Sequence, residues 1–152
     1  MTVYYSRPVL KSLAQGDRVA FIRKFRRISQ QQLGDALGMD KGTARNRICR
    51  IERTSRQLKP DRLAKVADAL HVNPMMLRWW DFKNPEDLFY HALWVEELCP
   101  DFQFRYSIAM GPQNPTHKVF KEKYIKWKVM RRRYIDGRIS LEEYWEWKLT
   151  QA

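Results

Sequence analysis

Residues 29–52 read SQQQLGDALGMDKGTARNRICRIE, two short periodic segments separated by a glycine and an aspartate. Ser29, with Gln32 three residues on, spells a capping box, so a helix is expected to open just before Leu33 and Ala36. Gly38 closes it, because a left-handed residue ends a helix at least cost when it has no Cβ. Asp40 is then placed to cap a second helix, expected over residues 41–53. At about 100° per residue, Ala44, Ile48 and Ile51 share one stripe, while Gly42, Thr43, Asn46, Arg50 and Arg53 face away from it. The pattern is a helix-turn-helix. Its outward face holds Asn and Arg, the side chains that form paired hydrogen bonds with adenine and guanine edges in the major groove. An amphipathic surface helix with solvated charges shows the same stripe; the capped helix and glycine turn ahead of it favour duplex DNA.

The rest of the composition agrees with a polyanionic partner. The chain has 152 residues, 44% hydrophobic and 13% aromatic, enough for one core or for a small domain plus an extension. No apolar run approaches the roughly 20 residues of a membrane helix, and the first residues lack the apolar core of a signal peptide, so a cytoplasmic protein without membrane contact is expected. The formal net charge is +12. Residues 1–83 carry 18 Lys and Arg against 7 Asp and Glu, whereas residues 84–152 carry 11 against 10. The helix-turn-helix part therefore holds nearly all the excess, as a surface facing phosphates requires.

Other chemistry is sparse. Cys49 and Cys99 have no CxxC partner, and His71, His91 and His117 stand apart, so no metal site is expected. No nucleophile, carboxylate pair or Gly-rich phosphate loop stands out. Neither a catalytic residue nor a cofactor is expected, and the chain does not read as an enzyme.

Around the central stretch, a first helix is expected from near Asp17, with Val19, Ile22 and Phe25 inward and Arg18, Arg23, Lys24, Arg26 and Arg27 on the remaining surface. Pro60 suits the first position of a further helix, whose Leu63, Val66, Ala67 and Leu70 follow core-facing spacing. Asn73 and Pro74 repeat the start signal for a short fifth helix reaching about Trp80.

These residues together resemble the helix-turn-helix domain of the phage-repressor (Cro-like, XRE) family. The likeness rests on Gly16 and Arg23, on SQQQLGDALGMD across the turn, on Ile51 and Glu52, and on LAKVADALHVNPMML at residues 63–77. It implies that Gln30, Gln31, Lys41, Gly42 and Thr43 meet DNA, and that Arg23 and Glu52 form an ion pair tying the first helix to the third. With Arg45, Asn46 and Arg50 of the third helix they make up the candidate DNA-binding residues. Between Gly38 and Glu52 the chain is about four residues longer than the common family pattern. The addition reads either as one more helical turn or as a bulge that rotates the outer face.

The expected fold is mainly α: a five-helix repressor-like domain at 1–83 and, at 84–152, an aromatic, mostly helical extension with one short strand. In the extension, Asn84 and Pro85 open a helix with Leu88, Ala92, Val95 and Cys99 on its core stripe. FQFRYSI, residues 102–108, alternates as a strand does, and 109–116 reads as a loop. A long helix is expected from about His117 to Asp136, with Phe120, Tyr124, Trp127, Met130 or Arg131, and Tyr134 inward. Gly137 ends it, and Ser140 with Glu143 caps LEEYWEWKL. Such aromatic helical pairs extend repressor-like proteins of bacterial mobile elements. Their aromatic stripe reads first as core and second as an interface, and the Lys and Arg row from Lys118 to Arg133 reads as a solvated face or a second contact with DNA backbone.

The expected function is that of a sequence-specific, repressor-like regulator of transcription on double-stranded DNA, acting as a homodimer. Self-association is expected in residues 84–152, where Trp127, Tyr134, Tyr144, Trp145 and Trp147 are types enriched at interfaces and net charge is small. Two other readings stand beside it: an antitoxin-like or accessory protein holding a protein partner through its C-terminal half, and an RNA-binding regulator.

Overall fold

In a computed structural model describing residues 7–99 and 115–151, the protein is mainly α, with seven α-helices and a 3-10 turn and no strand among the described residues. The strand expected at 102–108 lies outside the described residues, as does most of the loop expected at 109–116. The chain forms two units, Met1–Trp79 and Trp80–Ala152.

The first unit contains α1 (Gln15–Phe25), α2 (Gln30–Ala36), α3 (Ala44–Arg53), α4 (Pro60–Leu70) and the 3-10 turn Pro74–Met76. Its core gathers Val19, Phe21, Ile22, Leu33, Ile48, Val66, Leu70 and Met76, each almost fully removed from water. At roughly 1.5 to 3 kcal/mol per large apolar side chain, this burial supplies the main driving force for the unit. Helix α1 starts two residues before the expected Asp17, and it buries two of the arginines expected on its surface. Arg18 is fully buried; its guanidinium donates to the carbonyls of Leu13 (3.1 Å), Met76 (2.7 Å) and Arg78 (3.1 Å). Burial lowers its pKa to about 9, which leaves it charged at neutral pH, and the carbonyls replace the water it lost.

The fifth helix is shorter than expected. Asn73 Oδ1 accepts from the Met75 N–H at 2.9 Å and starts the turn as read, but the turn ends at Met76. At the end of the turn and beyond it, the carbonyls of Met76, Leu77 and Arg78 accept side-chain donors of α1, with Gln15 Nε2 on Leu77 O (2.9 Å) beside the Arg18 bonds.

The second unit contains α5 (Pro85–Leu98), α6 (Pro115–Ile135) and α7 (Leu141–Thr150). The stripe expected on α5 is displaced: Leu88 and Cys99 are exposed, while Asp87, Phe89, Tyr90, Ala92, Leu93 and Trp94 are buried. Two helices cover α5, so the buried face is wider than one stripe. Phe89 meets Phe120 and Trp127 of α6 edge-on, and Trp94 lies against Trp145 of α7 with ring centroids 5.2 Å apart. Of the inner line expected on α6, Phe120 and Trp127 are buried, Tyr124, Met130 and Arg131 half-buried, and Tyr134 exposed. The capping box of α7 is present, with Glu143 N–H on Ser140 Oγ (3.1 Å) and Ser140 N–H on Glu143 Oε2 (2.7 Å).

Glu96 of α5 joins all three helices. It accepts from Lys148 Nζ (2.5 Å), Arg131 Nε (2.7 Å) and the Tyr144 hydroxyl (2.9 Å), and that hydroxyl accepts in turn from Trp127 Nε1 (2.8 Å). Burial alone pushes the Glu96 carboxyl up. Lys148, Arg131 and Tyr144 outweigh it and hold the group below the usual carboxylate range.

Candidate nucleic-acid interface

Helix α2 opens on the capping box read from the sequence, with Gln32 N–H on Ser29 Oγ (3.0 Å) and Ser29 N–H on Gln32 Oε1 (2.7 Å). It closes at Gly38, whose φ of +68° lets the N–H groups of Gly38 and Met39 reach back to the carbonyls of Asp35 and Gly34, both at 3.0 Å. A Cβ on Gly34 would stand 2.6 Å from the Ala44 Cβ, so the absence of a side chain lets α2 lie directly against the first turn of α3.

Helix α3 begins three residues later than expected. Asp40 does not cap it: the N-cap is Thr43, without a side-chain bond, and Asp40 instead closes a local turn, its Oδ1 accepting from Gly42 N–H at 2.9 Å and its carbonyl from Thr43 and Ala44. Those bonds bend residues 41–43 into a turn, and Thr43 stands at its end as the residue from which α3 starts. From Ala44 to Arg53 the helix is a regular α-helix, without the bulge the longer sequence allowed. Ala44 and Ile48 are fully buried and Ile51 half-buried; Arg45, Asn46 and Arg50 are exposed. These three side chains make no hydrogen bond or ion pair among the described residues, so their donors and acceptors are open to a ligand.

Lys41, Gly42 and Thr43 are exposed on the turn leading into α3. Gln31 is half-buried beside them and donates to Asp35 Oδ1 (2.8 Å) and to the Lys41 carbonyl (3.2 Å). Gln30 points elsewhere, donating to Glu52 Oε2 at 2.8 Å. It thus belongs to a cluster in which Arg23 grips Glu52 with two bonds, Nε to Oε1 at 2.5 Å and Nη2 to Oε2 at 3.1 Å. The Arg23 and Glu52 side chains keep only 10% and 8% of their exposure. Gly16 completes this corner, since a Cβ there would come within 2.7 Å of the Ile51 and Glu52 carbonyl oxygens. The corner fixes the angle at which α3 leaves α1.

One part of the surface was missed from the sequence. Arg47 and Arg50 of α3, Arg56 of the connector and Arg62 of α4 line a groove of about 410 Å³. A second groove of about 690 Å³ shares Arg47, Arg56 and Arg62 and adds Lys59 and Lys65. The i, i+3 spacing of Arg47 and Arg50 could have indicated this flank, but the convergence of α4 on it depends on the path of residues 54–59.

Comparison of the chain with protein-family models, curated proteins and solved structures yields no match.

Proposed function

We propose that the protein is a sequence-specific, repressor-like regulator of transcription that places α3 in the major groove of double-stranded DNA. One observation carries the reading: a helix held by its buried Ala44 and Ile48 presents Arg45, Asn46 and Arg50 outward, unengaged by the described residues. Asn reads adenine and Arg reads guanine by paired hydrogen bonds. Cations at Lys41, Arg47, Arg56 and Arg62 flank that face and suit the phosphates on either side of a groove. The likeness of residues 16–80 to the phage-repressor helix-turn-helix domain supports the same role for α2 and α3.

The deciding experiment is selection of bound duplexes from a random pool, followed by competition with single-stranded and double-stranded RNA. A regulator of this kind enriches one short motif and keeps its preference as salt is raised. Recovery of unrelated sequences, or displacement by RNA at equal concentration, would overturn the reading.

A further inference from the structure

The second unit is nearly neutral as a whole and strongly segregated within. Helix α6 carries eight Lys and Arg against Glu122 alone, α5 carries four acids and no Lys or Arg, and α7 carries three acids against the buried Lys148. Three of the five aromatic residues expected to form an interface are not available for one: Trp127, Tyr144 and Trp145 are 5%, 2% and 2% exposed, filling the unit's own core, whereas Tyr134 is exposed and Trp147 half-buried. What α6 turns to solvent instead is a seam at alternating spacings of three and four, with Ile125 and Val129 at its centre, 50% and 55% exposed. Lys121 and Lys128 border that seam on one side and Lys126 and Arg133 on the other, all exposed.

Two half-exposed aliphatic residues bordered by four cations, with Glu122 the one acid of α6 beside them, have the layout of an interface, apolar at the centre and mainly positive at the rim. The rim selects the occupant. A second α6 would bring like charges together, and a duplex offers phosphates but nothing apolar to cover Ile125 and Val129. Helix α7 offers both features, because its outer face sets half-buried Trp147 among Glu142, Glu143 and Glu146. We propose that the outer face of α6 binds the outer face of α7 in a second copy of this chain, and that the reverse contact forms at the same time, giving a two-fold dimer. In such an isologous contact each surface is used twice, so the basic helix of one protomer meets the acidic helix of its partner at two places. The inference goes beyond the DNA-binding reading and stands without it.

The test uses the full chain without DNA in sedimentation velocity at tens of micromolar. The unaltered protein should sediment as a dimer whose dissociation increases with salt. Lys121→Glu with Lys128→Glu should give a monomer, and so should Glu142→Lys with Glu146→Lys, each with unchanged helical circular dichroism. Mixing the two variants should restore a dimer of one copy of each, since opposite charges then face each other at both contacts, reversed at one and unaltered at the other. A monomeric unaltered protein, dimers in either variant alone, or failure of the mixture to associate would each overturn the proposal.

Discussion

Glu52 carries more of the first unit's stability than its neighbour Arg53, although both end α3 with a charge. Glu52 accepts from Arg23 and Gln30 in a nearly dry corner, whereas Arg53 is exposed. Removing one partner of a buried pair strands the other, at a cost of about 3 to 5 kcal/mol, and an exposed charge is worth about 1 kcal/mol or less. Thermal unfolding should therefore show Glu52→Ala melting well below Arg53→Ala; matching melting temperatures would place the pair's energy near zero. Gly34 poses a purely steric question. Its added methyl would meet the Ala44 Cβ at 2.6 Å and the Ala44 backbone at 3.1 Å, neither of which can swing aside. Gly34→Ala should cost about 1 to 3 kcal/mol in denaturant unfolding by forcing α2 and α3 apart. It should also weaken duplex binding, because Gln31 and the turn before α3 shift together.

At the level of elements, α3 is the test of the functional reading. Asn46→Ala and Arg50→Ala should each reduce preference for the selected site by about 1 to 3 kcal/mol while leaving binding to random duplex nearly intact. Competition assays that find an unchanged preference in both would show that another face of α3 is in use. In the second unit, the folded Glu96 carboxyl lies below its ordinary 4.5, so the folded state holds fewer protons there than the unfolded state. Its stabilisation is complete above that ordinary value and is lost as pH falls through the folded one. Melting curves taken between pH 7 and pH 3 should fall less steeply for Glu96→Gln, which starts lower because the buried Lys148 loses its counter-ion. These elements also mark what the sequence could convey. Both capping boxes, Gly38, Gly137 and Pro60 act locally, and each lies where its residue type predicts. Arg18 could not be read so, because its burial depends on carbonyls about 60 residues away, nor could the face of α5, whose breadth depends on two later helices. The start of α3 differs for a subtler reason: Asp40 does not cap the helix but uses its side chain in a turn of its own, and the helix begins after Thr43.

For the molecule as a whole, charge is distributed by purpose rather than by amount. The first unit gathers Arg47, Arg50, Arg56 and Arg62 on one flank of α3, and their contribution to DNA binding should appear mainly as salt dependence. Arg56→Ala should lower the slope of log affinity against log salt by about 0.9, the value of one released counterion, without changing which site is preferred. A variant with the same slope and altered preference would mean that Arg56 reads a base. Finally, the Arg18 clamp sets an order of events during synthesis. Two of its three acceptors, Met76 and Arg78, are added 58 and 60 residues after it, so the arginine that completes the first unit cannot close its full set of bonds until the chain beyond Arg78 has left the ribosome. A nascent fragment ending at α4 holds a guanidinium with nowhere dry to go. The ribosome must therefore release the end of this unit before its beginning can settle.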